Sequence, residues 1–109
     1  MRSDEERLRD IVEYADLIGA HLPASRGELD GDVVLAAAFL RWVGVVGEAA
    51  ARLSDSFRRS HPAVPWAEIA GMRNHLVHGY FAVDADALWV AVTVEVPDLA
   101  RTVRSWLED

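Results

Sequence analysis

The segment GMRNHLVHGY, residues 71–80, carries side chains whose chemistry can move protons and bind anions. It places Arg73, Asn74, His78 and Tyr80 close together in a chain that is otherwise rich in alanine, valine and leucine. A guanidinium binds pairs of phosphate or carboxylate oxygens, and an imidazole can take or give a proton near neutral pH. These residue types therefore permit acid–base chemistry on an anionic substrate. By spacing alone, a surface histidine and a solvated arginine are the commoner interpretation.

The helical pattern around this segment predicts how the polar side chains are presented. Apolar spacing predicts a helix from Trp66 to about His78, with Gly79 where a left-handed residue commonly closes a helix. On such a helix Asn74 and His78 are one turn apart and project to the same side. The negative end of the helix dipole would raise the pKa of His78 toward neutrality. The sequence thus predicts one polar cluster at a helix C-terminus.

Two further helices are predicted before this segment. Ser3 followed by Glu6 has the spacing of a capping box, and a 3.6-residue apolar period continues from there to the first proline. Prolines and glycines predict a loop from about 22 to 30. A longer helix, apolar over much of its circumference, is predicted from about Asp32 to near Ser56.

The end of the chain predicts one more long helix and one ambiguous stretch. Residues 81–96 are rich in valine and favour a strand, but Asp84 could instead cap a short helix through Val92. Pro97 suits the first position of a final amphipathic helix. The prediction is an all-α, up-and-down bundle of four long helices plus a short extra helix, forming one domain over residues 1–109.

Composition limits the kinds of partner. The net charge is −7, which argues against broad binding to nucleic acid or anionic membrane but leaves room for a small basic site. The chain has no lysine, a skew that codon bias explains as well as phosphate binding does. It has no cysteine, which fits a reducing cytoplasm. Its longest apolar run is interrupted by Arg41 and Glu48, so no membrane span is expected.

The stretch PWAEIAGMRNHLVHGYFAVD resembles the signature of HepT-like toxins in the HEPN superfamily. The motif of that family is an arginine, four residues, a histidine, one residue and a tyrosine, and it falls on Arg73, His78 and Tyr80. A polar residue usually follows the arginine, and Asn74 stands there. The similarity extends upstream through VGEAARLSDSFRRSHP and downstream to the final helix. It implies a HEPN-type helical bundle.

The resemblance also implies an activity, that of a metal-independent RNA endonuclease without a cofactor. Arg73 would hold the phosphate, His78 would act as acid and base, and Asn74 would orient the imidazole or a phosphate oxygen. One chain offers one histidine at this position, whereas cleavage needs two proton transfers. A homodimer with a composite site on its two-fold axis is therefore expected.

The resemblance assigns a second role to Tyr80. In HepT-like toxins the matching tyrosine accepts AMP from a nucleotidyltransferase antitoxin of the MNT type, in what is termed a type VII toxin–antitoxin pair. Added phosphate would repel RNA from the site. Packing of the ring is the ordinary alternative. Two other functions stay open: a non-catalytic HEPN subunit that binds a nucleotidyltransferase or a nucleotide, and an unrelated helical interaction module.

The remaining polar residues give weaker signals. Glu48 and Arg52 have the spacing of a helical ion pair, and Glu48 is either solvated in that pair or lies beside the cleft and orients Arg73 or the partner's histidine. His75 is interpreted as a surface or interface residue. Since the chain lacks cysteine and paired histidines at helical spacing, no metal site is expected. RNA is the expected nucleic acid, and no DNA binding is expected.

Overall fold

The computed structural model describes residues 2–78 and 82–108, with His78 described by its backbone alone. Helices dominate, and the all-α class predicted from the sequence is confirmed. The elements in chain order are α1 Asp4–Ala20, α2 Arg26–Asp30, α3 Val33–Ala51, α4 Asp55–Ser60, α5 Trp66–Ala70, a 3₁₀ turn Met72–His75, β1 Val77–His78, β2 Ala82–Val83, α6 Ala85–Val90, a π-helical segment Ala91–Glu95 and α7 Val96–Leu107.

The first helix forms as the capping pattern predicts. The Ser3 hydroxyl accepts a hydrogen bond from the backbone N–H of Glu6 at 3.2 Å, which satisfies one of the free donors at the start of α1. Leu8, Ile11 and Ile18 are buried on one side of the helix. This stripe packs against α3 and α7, so α1 lies between the two other long helical segments.

The central helix is shorter than predicted. The helix starts near Asp32 as predicted, and Asp32 caps it by accepting from the N–H of Leu35 at 2.9 Å, but α3 ends at Ala51 and not near Ser56. Ser54 starts a new helix, α4, because its hydroxyl accepts from the N–H of Phe57 at 3.1 Å.

A second serine cap was also missed, in the predicted loop from 22 to 30. Ser25 accepts there from the N–H of Glu28 at 3.3 Å and starts α2.

α3 lies at the centre of the fold. It packs against α1, α2, α5 and the 3₁₀ turn, and Phe39, Val43 and Val46 are fully buried. Within the described residues, α3 is the one helix that is long and apolar enough to cross a membrane, with a mean hydropathy of 1.7. The core helix of a soluble protein passes the same test. The interhelical contacts of α3 are those of a core helix, so its apolar character is weak support for a membrane span.

Of the ambiguous stretch from 81 to 96, the described residues 82–96 are mostly helical. The Asp84 side chain accepts from the N–H of Ala87 at 3.0 Å and starts α6, which confirms the capping alternative. Ala82–Val83 form a short strand, and the remaining valines lie in helix. Pro97 is the second residue of α7, and one residue, Val96, separates it from the π-helical segment. Since proline has no N–H and its ring clashes with the carbonyl four residues earlier, a wider turn before it relieves the conflict.

The predicted third helix is wrong beyond its first five residues. α5 ends at Ala70, and Gly71 caps it. The chain then tightens into the 3₁₀ turn, in which the N–H of Asn74 donates to the Gly71 carbonyl and the N–H of Leu76 to the Arg73 carbonyl, both at 3.0 Å. Residues 2–78 and 82–108 form three long helical segments instead of the predicted four: α1, α3, and the continuous run of α6, the π-helical segment and α7.

This correction removes two expectations about the polar cluster. Asn74 lies in the 3₁₀ turn and His78 in β1, so the two residues do not share one face of a helix. The helix-dipole argument for His78 fails for the same reason, because no α-helix ends there. The sequence pattern misled because the apolar residues continue at helical spacing past Gly71, whereas the backbone changes its hydrogen bonding from i−4 to i−3 partners.

Candidate functional site

The turn that carries Arg73 is fixed by buried apolar side chains on both sides of it. Trp66 and Ile69 in α5, Met72 at the start of the 3₁₀ turn and Leu76 after it are all buried. Arg73, Asn74 and His75 lie between Met72 and Leu76 and are exposed. The apolar residues of the sequence motif therefore hold the turn to the core, and its three polar residues face solvent. The expected surface position of His75 is confirmed.

A short antiparallel hairpin follows the turn. Val77 pairs with Val83 and His78 with Ala82, and the N–H of Asp84 donates to the Leu76 carbonyl at 2.8 Å. The hairpin therefore joins the motif to the cap of α6. The side chain of His78 and residues 79–81, including Tyr80 and the predicted helix-closing Gly79, lie outside the described residues.

Two glycines of α3 bring the motif close to the central helix. A Cβ at Gly47 would lie 3.0 Å from the Ile69 carbonyl oxygen and 3.2 Å from that of Ala70, so α5 packs backbone to backbone against α3. A Cβ at Gly44 would lie 3.1 Å from Cδ of Arg73. Gly44 thus leaves a notch in α3, and the aliphatic part of the Arg73 side chain lies in it.

Arg73 borders a cleft between α1 and α3, which we call the arginine cleft. Its volume is about 1010 Å³, at the upper end of the size that encloses a small ligand. Five guanidinium groups and two carboxylates line it, although carboxylates outnumber arginines 18 to 11 in the whole chain. The lining residues are Arg2, Arg7, Asp10, Ala37, Leu40, Arg41, Gly44, Val45, Glu48, Ala49, Arg52 and Arg73.

The arginines of this cleft differ in whether a carboxylate holds them. Arg2 binds Asp10 at 2.6 Å, and Arg52 binds Glu48 at 2.6 Å. The other three arginines of the cleft form no ion pair within the part of the chain that the structure describes. Outside the cleft, Arg9, Arg26, Arg58, Arg101 and Arg104 are all paired with carboxylates. The three cleft arginines without an ion pair are Arg7, Arg41 and Arg73.

The structure brings some of the expected site residues together. Arg73 and Glu48 line the same cleft, and Arg41 lines it with them. The carboxylate of Glu48 is bound to Arg52, which confirms the predicted ion pair, and both side chains are more than half exposed. Asn74 is exposed on the turn, beside Arg73 in sequence. The supporting roles of Glu48 and Asn74 stay predictions.

Sequence reasoning missed the contribution of α1 to the cleft. Arg2 and Arg7 come from the start of the chain and lie beside Arg73 only because α1 packs against α3. Their spacing along α1 carries no signal of a shared site. Five arginines in one cleft of an acidic protein are nevertheless the small basic site that the net charge left room for.

The histidines outside the motif have structural surroundings. Nδ1 of His21, the residue that caps the end of α1, lies 2.9 Å from the Leu17 carbonyl oxygen. Nδ1 of His61, which caps α4, lies 2.9 Å from that of Phe57. Among the described residues, no group of three or more His, Cys, Asp or Glu side chains has the arrangement of a metal site.

Comparisons with known proteins cover almost the whole chain. The model of a family described as "Ribonuclease HepT-like" matches residues 6–106. A protein of Thermococcus cleftensis named "Probable ribonuclease HepT" is 36% identical over 99 residues, which are 90% of this chain and 90% of that protein.

Two other relatives carry the provisional name of RNase. One, from Caldanaerobacter subterraneus, is 43% identical over 77 residues, 71% of this chain and 69% of the relative. The other, from Methanocaldococcus jannaschii, is 35% identical over 97 residues, 88% of this chain and 89% of the relative. No solved structure matches the chain.

Proposed function

This chain belongs to the HepT-like ribonuclease family, and from that premise we propose that it cleaves RNA without a metal ion, at a site shared by two copies of the chain. The observation that carries the proposal is the position of Arg73. Its side chain lies in the Gly44 notch, lines the arginine cleft and forms no ion pair within the described residues. A guanidinium that is held in place but not neutralised is suited to a phosphate.

The proposed reaction uses the 2′-hydroxyl of RNA as the nucleophile. The 2′-oxygen attacks the adjacent phosphorus, the bond to the 5′-oxygen breaks, and the products carry a 2′,3′-cyclic phosphate and a 5′-hydroxyl. One proton leaves the 2′-oxygen and one joins the 5′-oxygen. Arg73 stabilises the charge that develops on the phosphorane, His78 transfers protons, and Asn74 orients the imidazole or a phosphate oxygen.

A homodimer supplies the second proton-transfer group in this scheme. The motif offers one histidine per chain, and a two-fold axis beside the hairpin would place two copies of Arg73 and His78 around one phosphodiester. The exposure of the 3₁₀ turn supports this arrangement, because a buried turn could not meet a second copy. Glu48 lines the cleft next to Arg73 and is available to orient it or the partner's histidine.

In the cell, we propose, the chain is a cytoplasmic toxin that an MNT-type nucleotidyltransferase neutralises. The enzyme would transfer AMP from ATP to the Tyr80 hydroxyl, with pyrophosphate leaving and the phenolic proton passing to solvent. Tyr80 follows His78 by two residues, so the added phosphate would stand at the site and repel the RNA backbone.

Catalysis is tested with His78→Ala and a matched control, His75→Ala. His75 is exposed on the same turn but does not belong to the motif. Expression of the wild type and of His75→Ala should arrest growth, and both purified proteins should cleave RNA in the presence of EDTA. His78→Ala should do neither. Equal activity of the wild type and His78→Ala would contradict the proposal.

The modification is tested by co-expression with a nucleotidyltransferase encoded beside this gene. The chain has two tyrosines, Tyr14 and Tyr80, and Tyr14 packs against the core. Peptide mass spectrometry should find AMP on Tyr80 and not on Tyr14, and Tyr80→Phe should stay unmodified and toxic. AMP found on another residue would remove this assignment.

A further inference from the structure

The arginine cleft is larger than one phosphate contact requires. Arg73 lines it from the 3₁₀ turn, whereas Arg7 and Arg41 line it from α1 and α3. A cleft of about 1010 Å³ has room for a segment of polymer around a single phosphate held by Arg73. Ala37, Leu40 and Val45 add apolar surface between the guanidinium groups.

Three of the five guanidinium groups in the cleft, unlike those of Arg2 and Arg52, form no ion pair with a carboxylate of the described residues. Arginines elsewhere on the surface are mostly paired with carboxylates, and the chain carries seven more negative than positive charges. In such a chain an arginine readily finds a carboxylate, yet Arg7, Arg41 and Arg73 form no ion pair within the described residues. Three unpaired guanidinium groups on one cleft are the arrangement expected where an external anion supplies the negative charge.

We propose that the arginine cleft binds the RNA backbone that flanks the scissile bond, and that Arg7 and Arg41 contact phosphates neighbouring the one held by Arg73. This inference rests on the proposed ribonuclease function. The acidic remainder of the surface repels RNA, so it restricts the backbone to this cleft. Arg7 and Arg41 bind and orient the strand, and they do not act on the reacting atoms.

Single-stranded RNA suits the cleft better than an acidic protein partner. Successive phosphates along one strand present a row of oxygens, which guanidinium groups from α1, α3 and the 3₁₀ turn can bind together. A planar guanidinium fork matches the oxygens of each phosphate. Asp10 and Glu48 neutralise part of the charge of the cleft, and the surplus is left at the three unpaired arginines.

Binding is measured with a 2′-O-methyl RNA oligonucleotide, which lacks the nucleophile and cannot be cleaved. The variants are Arg7→Gln and Arg41→Gln, with Arg59→Gln as the control. Arg59 is exposed on α4, lies outside the cleft and forms no ion pair within the described part of the chain, so its loss changes the net charge equally. Fluorescence anisotropy over a range of salt concentrations gives the Kd and its salt dependence.

Each cleft variant should remove one phosphate contact. The slope of log Kd against log salt should then fall by about 0.7, and Kd at 0.15 M salt should rise about fourfold, as counterion release predicts for a single strand. Arg59→Gln should leave both values unchanged. In cleavage assays the two cleft variants should raise KM and preserve kcat, which separates strand binding from a role at the reacting atoms.

Other results separate this inference from the proposed function. If Arg41→Gln binds the oligonucleotide as Arg59→Gln does, the inference is overturned while the ribonuclease activity stands. If the cleft variants leave Kd unchanged but dissociate a homodimer in sedimentation experiments, the cleft is an interface between copies, and the inference is again overturned. If the wild type binds RNA through Arg7 and Arg41 but never cleaves it, the inference stands and the proposed function fails.

Discussion

The arginine cleft differs from an aromatic cluster in whether its polar groups have partners within the chain. The cluster consists of Phe57, His61, Trp66 and Trp106. In the cluster, the ring of His61 contacts those of Phe57 and Trp106, with centroid distances of 4.1 and 4.3 Å. The indole N–H of Trp66 donates to the His61 carbonyl at 2.9 Å. Each of these polar groups has its partner inside the chain. In the cleft, the guanidinium groups of Arg7, Arg41 and Arg73 have no such partner among the described residues.

The two regions contribute differently to one fold: the aromatic cluster stabilises the folded state, and the arginine cleft is available to a ligand. Polar groups that are satisfied internally fix the packing of α4, α5 and α7, and their loss should destabilise the folded state. Charges left without a partner add little to stability, and they are available to a ligand. Trp66 and Arg73 stand seven residues apart, yet they belong to different regions by this criterion.

Trp66→Ala should have the largest effect on stability. It removes a buried indole and its hydrogen bond to His61, so the free energy of unfolding should fall by about 3–5 kcal/mol. Chemical unfolding monitored by circular dichroism measures the loss. Trp66→Phe keeps most of the buried ring and should lose less. A stable Trp66→Ala protein without cleavage activity would break the comparison.

Arg73→Ala should have the opposite effect to Trp66→Ala: a large loss of activity with little loss of stability. Loss of a group that stabilises the transition-state charge should lower kcat about 10²–10³-fold, which corresponds to about 3–4 kcal/mol. The side chain is exposed, so the free energy of unfolding should change by less than about 0.5 kcal/mol. Arg73→Lys should recover part of the activity, because it keeps the charge but loses the planar fork. Full activity of Arg73→Ala would remove this residue from the site.

The two glycines of α3 sharpen the same contrast. Gly47→Ala would place a methyl group 3.0 Å from a backbone oxygen of α5, and we expect it to cost about 1–2 kcal/mol of stability as the helices separate. Gly44→Ala meets only the flexible Arg73 side chain, and the better helix propensity of alanine should stabilise the protein by up to about 1 kcal/mol.

Cleavage activity should rank the two glycine variants in the order opposite to stability, because Gly44→Ala should lose more activity than Gly47→Ala. Gly44→Ala moves the Arg73 side chain out of its notch, so kcat should fall although the fold is intact. Unfolding curves and cleavage rates of both variants test this pair of expectations. A Gly44→Ala protein with unchanged kcat would show that the notch does not position Arg73.

Asp4→Asn should have the smallest effect. The hydroxyl and the N–H of Ser54 both donate to the Asp4 carboxylate, at 2.7 and 2.8 Å, and these bonds lower the pKa of Asp4 below its usual value of 3.8. The hydrogen bonds tie α1 to the cap of α4. Because Asp4 is only partly buried, solvent screening should limit the loss to about 1 kcal/mol or less at pH 7.

The pH dependence of this variant follows from the lowered pKa of Asp4. A carboxylate that ionises more readily in the folded state stabilises it above the unfolded pKa, and that stability is lost as the pH falls through the folded pKa. The difference in unfolding free energy between wild type and Asp4→Asn should therefore be constant from pH 7 to 5 and shrink below about pH 4.

Sequence alone determined the features that depend on local chemistry. The caps at Ser3, Asp32 and Asp84 act on neighbouring N–H groups. The Ser3 cap and the helix start near Asp32 were predicted, and the Asp84 cap was one of the two alternatives for its segment. The all-α class, the family and the ribonuclease type followed from apolar periodicity and from the motif around Arg73, and the structure and the comparisons confirm them. These features need only residues within a few positions of one another.

Tertiary structure decided the rest, because it depends on which distant backbones meet. The apolar pattern past Gly71 is equally compatible with a longer helix. The structure has a turn and a strand there instead, together with the close approach of α3 at Gly47 and the hydrogen bond from the N–H of Asp84 to the Leu76 carbonyl. The cleft is a further example. Arg7 and Arg73 lie 66 positions apart, and no local preference links them until α1 packs against α3 and concentrates positive charge in one place.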